Sequence, residues 1–243
     1  MLALLGAFGQ EISDLQRRMV IQEVVVEQHC KLYRGKFENR EAMVVKTGMG
    51  KERAESSMKF ILKHYPVTAV ISLGFAGALA PELRIGDVVV CSTLYCDCRA
   101  EVYASDAHLL SLASQVQECI EARSCIGSSV TLLHLEASPR KMRELREIFQ
   151  AHIVDNESYW IARIASANTI PFIGVRSISD DIQHSIQPFD QILTADGELL
   201  WKKAVLCFFS HPDYLMNVFT LFRNTRLARR NMVAFVSHLV TKM

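Results

Sequence analysis

Short apolar runs alternate with amphipathic segments along most of the chain. Residues 2–5 form a continuous apolar run typical of a buried strand, and Ile12, Leu15 and Met19 then recur on one face of a helix. The same pattern predicts strands at 23–35, 42–47, 67–73, 86–91, 126–132, 152–154 and 172–178, and helices at 11–19, 51–64, 106–121, 139–149 and 157–167. A turn-like segment at 38–40 predicts a hairpin between the strands at 23–35 and 42–47. This alternation predicts an α/β fold with three layers, α/β/α, around a central mixed, mostly parallel sheet.

The segment from residue 199 onward has a different pattern, because it is helical throughout and combines aromatic residues with a basic cluster. The aromatic positions are Trp201, Phe208, Phe209, Tyr214, Phe219 and Phe222, and the cations are Arg223, Arg226, Arg229 and Arg230. We expect an α/β domain over residues 1–198 and a helical C-terminal extension over 199–243 that packs on it. The alternative is an interfacial helix that meets a membrane or a lipidic substrate.

Composition limits the classes of function. A chain of 243 residues with a net charge of +1 fits one α/β domain and has no global basic field for nucleic acid. Seven cysteines without framework-like spacing indicate reduced thiols, and therefore a cytoplasmic protein. The apolar run at the start is too short for a signal sequence, and no run has the length of a membrane span.

Three acidic residues follow predicted strands. Glu11 comes after the first apolar run, Glu157 after the strand at 152–154, and Asp180 after the strand at 172–178. Ligands of open α/β sheets bind outside the carboxyl ends of the strands, so these acids are candidates for one site. Taken singly, each has a simpler interpretation as a first-turn acid, a helix N-cap or a turn residue.

Two glycine-containing segments also stand at strand ends. Residues 48–50 (Gly-Met-Gly) open a predicted helix, where free amides and close backbone approach favour a ligand. Residues 74–78 (Gly-Phe-Ala-Gly-Ala) follow an apolar strand, where small side chains let a ligand lie against the backbone. A tight turn and close helix–strand packing are the respective alternatives.

Together these segments resemble the nucleoside phosphorylase/nucleosidase superfamily, and most closely its methylthioadenosine/S-adenosylhomocysteine nucleosidase branch. The resemblance lies in five ordered motifs, at residues 5–11, 47–51, 73–81 with 86–89, 154–158 and 176–180. It implies a nucleoside phosphorylase-like fold and an enzyme that cleaves the N-glycosidic bond of a purine nucleoside. The predicted reaction is hydrolysis, by water, of a 5′-substituted adenosine of the methylthioadenosine or S-adenosylhomocysteine type, with release of adenine. The resemblance also implies that neither a metal nor an organic cofactor is needed, and that the protein forms a homodimer.

The resemblance implies a role for each matching residue. Asp180 would protonate or hydrogen-bond the purine N7, Glu157 would bind the ribose hydroxyls, and Glu11 would activate the attacking water. Carboxylates beside the ribose suit an oxocarbenium-like transition state. The remaining candidates are Asn156 on the ribose side and, on the base or 5′ side, Phe8, Met49, Phe75, Ala76, Gly77 and Ser179.

Some positions depart from the branch and leave the substrate open. Phe75 stands where the branch has a small hydroxyl residue, and Asn156 stands where it has methionine. Residues 209–228 are similar to the C-terminus of hopanoid-associated phosphorylase-like proteins, which implies a large apolar 5′ group and possible weak membrane contact. Three further alternatives are a nucleosidase or phosphorylase for an adenosylated hopanoid, a purine nucleoside phosphorylase with Lys51 or Arg53 near the phosphate, and a non-catalytic nucleoside-binding member.

Overall fold

The computed structural model describes residues 1–134, 138–180 and 213–243. The strands are β1 (Leu2–Gly6), β2 (Val20–Glu27), β3 (Cys30–Phe37), β4 (Arg40–Lys46), β5 (Ala69–Ala78), β6 (Val88–Cys96), β7 (Arg99–Ala104), β8 (Ser124–Thr131), β9 (Ile153–Asp155) and β10 (Phe172–Asp180). The helices are α1 (Gly9–Arg18), α2 (Lys51–His64), α3 (Ala107–Gln117), α4 (Pro139–Phe149), α5 (Ser158–Ala167) and α6 (Asp213–Lys242).

All ten strands belong to one mixed sheet, with the order β10-β6-β8-β9-β5-β1-β4-β3-β2 and β7 paired to β6. Parallel pairs join β1 to β4 and β5, β5 to β10, and β8 to β6 and β9. Because β10 also pairs with β6, the strands β10, β6, β8, β9 and β5 close into a small barrel at one end of the sheet. The predicted α/β fold with a central mixed sheet is confirmed.

Helices cover both faces of the sheet because its central strands bury their side chains on both sides, whereas β2 and β7 are mostly exposed. All five residues of β1 are buried, as expected for a parallel strand between two helical layers. One core cluster joins Leu5 and Val70 to Trp160 of α5, and the other joins Leu4 and Ile71 to Phe235 of α6. The layers therefore position the carboxyl ends of β1, β5, β9 and β10 rigidly.

Helix α6 confirms the predicted helical segment over the part that the structure describes. Ala228 is buried, Met232, Phe235, Val236 and Leu239 belong to the second core cluster, and the helix packs against β10, α3 and α1. Of the predicted aromatic positions, Trp201, Phe208 and Phe209 lie outside the described residues, and nothing is described of the Tyr214, Phe219 and Phe222 side chains. None of the described helices has the length and apolar character needed to span a membrane.

Several predicted bounds were wrong. The single strand expected at 23–35 is two strands, β2 and β3, because Gln28 takes a left-handed conformation (φ 53°) without the usual glycine or asparagine turn signal. Strand β7 was missed, since its side chains are mostly exposed and show no apolar alternation. The strands predicted at 67–73 and 172–178 extend further, because β5 and β10 pair with each other as far as Gly77 and Asp180.

Candidate active site

Glu11 is a buried carboxylate held by two backbone amides. It lies in the first turn of α1, where its Oε2 accepts from the Phe8 amide at 2.9 Å. Its Oε1 accepts from the Phe75 amide of β5 at 2.8 Å. A Cβ on Gly74 would stand 2.6 Å from Oε1, so only glycine lets the carboxylate reach this strand. The two short contacts fix Glu11 between the ends of β1 and β5.

Opposing effects act on the proton affinity of Glu11. Burial raises the pKa of Glu11, while the Phe8 and Phe75 amides and the charge of Arg176 lower that pKa. The net direction is upward from the ordinary value of 4.5, which brings the group closer to the neutral range where proton transfer is efficient. A raised pKa favours a role as general base over a role as permanently ionised anchor.

Glu157 connects the glycine turn at residues 48–50 to β9 and α5. It is the N-cap residue of α5, and its Oε1 accepts from the Gly50 amide at 2.9 Å. Gly50 has φ 87°, a conformation that favours glycine. Burial raises the pKa of Glu157 to about 8, with further contributions from the carboxylates of Asp155 and Glu11. The side chain is therefore mostly protonated at neutral pH.

Asp180 ends β10 beside Gly77 of β5, its partner in the sheet. The hydroxyl of Ser179 donates to Asp180 Oδ1 at 2.6 Å. A Cβ added to Gly77 would stand 3.0 Å from Asp180 Oδ2, so the carboxylate lies over the glycine backbone. Asp180 is half-buried, which leaves it accessible to a ligand.

The other residues predicted for the site differ in how far they are buried and in whether their side chains can reach a ligand. Phe8, Asn156 and Met49 are half-buried beside Glu11, Glu157 and Gly50 in sequence. The methyl of Ala76 belongs to the apolar core, so that only its backbone can face a ligand. Ser179 is buried and its hydroxyl is engaged with Asp180, which makes it a support for the acid.

A buried ionic network lies behind the acids, and no role was assigned to its members from the sequence. Arg176 is 2% exposed; its Nε donates to Asp155 Oδ2 at 2.9 Å and its Nη2 to Ser72 at 2.9 Å. Asp155 also accepts from Thr131 at 2.5 Å and from the hydroxyl of Ser158. An arginine inside an apolar strand is the sequence signal that should have indicated it, since arginine is rarely buried without a partner.

This network sets the electrostatics of the site. Burial alone would lower the pKa of Arg176, but Asp155, Glu11 and Glu157 raise it, and the guanidinium stays charged. The same charge lowers the pKa values of Glu11 and Glu157 against their burial. Arg176 therefore offsets part of the effect of burial on two acids whose pKa values are raised, and such shifted pKa values are common at catalytic sites.

Phe75 faces a cavity of about 280 Å³ that α6 helps to form. Its other lining residues are Gln10 of α1 and three residues of α6: Thr225, Arg226 and Arg229. Of the two cations considered for phosphate, Lys51 has its Nζ 4.9 Å from the ring centre of Trp160. The side chain of Arg53 packs beside Gly48, where an added Cβ would stand 2.8 Å from its Cδ.

Potential metal ligands form one group among the described residues. It consists of Cys96, Asp97 and Cys98 at the β6–β7 turn and includes none of the three acids. The site itself presents carboxylates, backbone amides and small residues. This set can position a neutral, hydroxyl-rich ligand, exchange protons with it and stabilise developing positive charge.

Comparisons with known proteins agree with this arrangement. A sequence model of the phosphorylase superfamily matches residues 1–198. The 5′-methylthioadenosine/S-adenosylhomocysteine nucleosidase of Tolumonas auensis is 27% identical over 196 residues, which cover 74% of this chain and 85% of that protein.

Solved structures are similar over the whole chain. The 5′-methylthioadenosine/S-adenosylhomocysteine nucleosidase of Neisseria meningitidis, in complex with methylthio-immucillin-A, superposes with a TM-score of 0.81 at 21% identity, over 100% of this chain and 99% of that one. The futalosine hydrolase of Helicobacter pylori superposes with a TM-score of 0.78 at 18% identity, over 100% and 97%. At these identities the likeness concerns the fold.

Proposed function

The chain belongs to the phosphorylase superfamily, and from this premise we propose that it is a purine nucleosidase. It hydrolyses the N-glycosidic bond of a 5′-substituted adenosine, of the methylthioadenosine or S-adenosylhomocysteine type, and releases adenine. The observation that carries the proposal is the placement of Glu11: a buried carboxylate of raised pKa held by two amides at the ends of β1 and β5. The relatives that the chain resembles are nucleosidases of this kind.

In the proposed mechanism, Asp180 acts on the base and Glu11 acts on the attacking water. Asp180 donates a proton or a hydrogen bond to N7 of the adenine while the bond between C1′ and N9 breaks. Water then attacks C1′, and Glu11 accepts its proton. The sugar passes through an oxocarbenium-like state, which nearby carboxylates stabilise electrostatically. The half-buried position of Asp180 over Gly77 supports contact with a planar base.

Glu157 binds the ribose in this proposal. With a pKa of about 8, its carboxyl group can both donate to and accept from ribose hydroxyls. The Gly50 amide fixes its Oε1, which leaves Oε2 for the sugar. Asn156, next to it in the chain, is proposed to contact the ribose as well. Phe8, Met49 and Phe75 would pack on the sugar or the 5′ side.

A phosphorylase is the second candidate, because the structure places a cation beside a glycine turn. The side chain of Arg53 lies against Gly48, and a phosphate nucleophile needs such cationic groups. Phosphate would then replace water, and the product would be a sugar 1-phosphate. We rank hydrolysis first, since residues 48–50 and 74–78 themselves contain no arginine.

A product assay on four nucleosides, each with and without phosphate, tests the proposal. Methylthioadenosine, S-adenosylhomocysteine, adenosine and inosine are incubated with the purified protein, and the free base and the sugar product are quantified. We expect adenine and a free sugar from the two 5′-thioethers without phosphate. Strict phosphate dependence would make the protein a phosphorylase, and lack of cleavage with tight nucleoside binding would make it a non-catalytic member.

Several expectations from the sequence remain proposals. The end of the family match at residue 198 supports an α/β domain over 1–198 with residues 199–243 as an extension. A homodimer, a cytoplasmic location and weak membrane-surface contact are supported by the resemblance or by composition alone. An adenosylated hopanoid remains the alternative substrate, supported by Phe75 and by the sequence of the extension.

A further inference from the structure

The cavity between α1, β5 and α6 adjoins the proposed site, but the proposed mechanism gives no role to its α6 residues. Gln10 precedes Glu11 in the chain, and the Phe75 amide is hydrogen-bonded to Glu11, so both residues connect the cavity to the acid. The opposite wall is one turn of α6 with Thr225, Arg226 and Arg229. A 5′ substituent on a nucleoside bound beside Glu11 would therefore contact these residues of α6.

Positive charge dominates the walls of this cavity. Arg229 Nε lies 2.9 Å from Asp14 Oδ2, and the same carboxylate contacts Arg17 at 3.1 Å, so that one acid is shared by two cations. Arg226 is exposed on the same turn of α6 as Arg229. Gln10 lies in the first turn of α1, whose amides and dipole add positive potential.

The size of the cavity limits what it can hold. Its volume of about 280 Å³ is at the lower end for small-molecule sites, which generally range upward from about 300 Å³. This space suits a short chain with a polar end group. A guanidinium group binds a carboxylate or a phosphate through two parallel, charge-assisted hydrogen bonds. A neutral end group on the ligand cannot form this pair of bonds.

We propose that this cavity is an oxyanion subsite in which Arg226 selects a carboxylate on the 5′ substituent, or a free phosphate, beside the nucleoside. The inference rests on the proposed function, because the nucleoside site defines which group reaches the cavity. Arg226 is a specificity-determining residue in this scheme, and Arg229, held by Asp14, forms the fixed part of the wall.

Two thioether nucleosides that differ only in their end group test the source of the oxyanion. One is 5′-(3-carboxypropylthio)-5′-deoxyadenosine and the other is its neutral counterpart, 5′-butylthio-5′-deoxyadenosine. Their kcat/KM values are compared in the wild type, in Arg226→Gln and in Arg226→Lys. Arg223→Gln is the matched control, since Arg223 is exposed on the same helix but does not line the cavity. Calorimetry measures the affinity of each variant for the two nucleosides and for inorganic phosphate.

We expect the wild type and Arg223→Gln to prefer the carboxylate, and Arg226→Gln to reduce this preference by about 10-fold or more, the effect of losing a charged hydrogen bond. Arg226→Lys should be intermediate. A loss of phosphate affinity in Arg226→Gln, without a loss of carboxylate preference, would identify free phosphate as the oxyanion. If Arg226→Gln keeps both the carboxylate preference and the phosphate affinity of the wild type, the inference is wrong.

The proposed function can fail separately from this inference. If neither nucleoside is cleaved, the nucleosidase proposal is wrong, and the calorimetric affinities alone decide whether Arg226 binds an oxyanion. If both are cleaved and Arg226→Gln matches the wild type in carboxylate preference and phosphate affinity, the nucleosidase proposal stands and the subsite is wrong. The exposed position of Arg226 makes a folding defect in either variant unexpected, and circular dichroism melting checks this.

Discussion

The amide nitrogen of Phe75 lies 2.8 Å from Oε1 of Glu11. The contact uses only the backbone of Phe75, so the hydrogen bond does not depend on the side chain at this position. This explains how Phe75 can stand in place of the small hydroxyl residue of the nucleosidase branch without disturbing the acid. The phenyl ring instead faces the cavity toward α6, where it affects what lies beyond the reacting centre.

Removing the proton-transfer capacity of either acid should abolish most turnover. Glu11→Gln and Asp180→Asn keep the shape of the side chain, and each should lower kcat by about 100-fold or more, as expected for general acid–base groups. Steady-state release of adenine measures the effect. Glu52→Gln is the control for Glu11, because Glu52 is an exposed first-turn acid of α2. If a folded variant of either acid keeps the kcat of the wild type, the catalytic role proposed for that acid is wrong.

Gly74→Ala should separate activity from stability. The added methyl would stand 2.6 Å from Glu11 Oε1, so the carboxylate must move away from the Phe75 amide. Because the atom that moves ends a side chain, we expect a melting temperature within a few degrees of the wild type and a large loss of kcat. Gly9→Ala is the matched control, since a Cβ there meets no atom within 4 Å. Equal kcat in the two variants would contradict the proposed positioning of Glu11.

The raised pKa of Glu157 predicts how stability depends on pH. The folded protein binds this proton up to a pKa of about 8, whereas the unfolded chain releases it near 4.5. The stabilising effect of the proton is therefore complete below pH 4.5 and is lost as the pH rises to about 8. Glu157→Gln removes this titration, so its free energy of unfolding, relative to the wild type, should increase between pH 5 and pH 9.

Urea unfolding of both proteins across this pH range measures the difference in their free energies of unfolding. The slope from one group is limited to about 1.4 kcal/mol per pH unit. In Glu157→Gln, the side-chain amide oxygen would still accept from the Gly50 amide, which keeps this contact intact in the variant. A difference that does not change with pH would mean that Glu157 titrates near its ordinary value.

The arginine cluster of α6 should give weak binding to anionic vesicles. Each basic residue near such a surface contributes about 1 kcal/mol, so the binding should disappear at high salt. The described apolar side of α6 is buried against the domain, and charge must therefore provide the attraction. Co-sedimentation with anionic liposomes compares the wild type with a variant in which Arg223, Arg226 and Arg230 are changed to Gln. Arg229 is left unchanged because it pairs with Asp14. Absence of wild-type binding at low salt would exclude the membrane interpretation.

The sequence predicted those parts of the site that depend on local order along the chain. Glu11 in the first turn of a helix and Gly50 before another are local features, and both lie where the pattern indicated. The partners of these residues are distant in sequence: Gly50 and Glu157 are separated by 107 positions, and Arg176 and Ser72 by 104. Hydrophobic periodicity carries no information on such pairs, which only strand order and register bring together.

Errors in the predicted elements have a related cause. The sequence pattern ends the strand at residue 73, before the glycine-containing segment 74–78, yet pairing with β9 and β10 extends β5 through this segment. Strand β7 has mostly exposed side chains and is formed by its pairing with β6. In both cases a neighbouring strand supplies the hydrogen bonds that determine the backbone, and a single segment does not reveal its neighbour.

The position of α6 also affects how the protein folds during synthesis. Leu2 and Leu4 of β1 belong to the same core cluster as Val236 and Val240 of α6, and Asn231 donates to the Gly86 carbonyl at 2.8 Å. On the ribosome, β1 emerges long before α6 has been made, so this half of the core stays open while most of the chain is already outside. We therefore expect nascent chains stalled before residue 228 to expose apolar surface and to be substrates for chaperones.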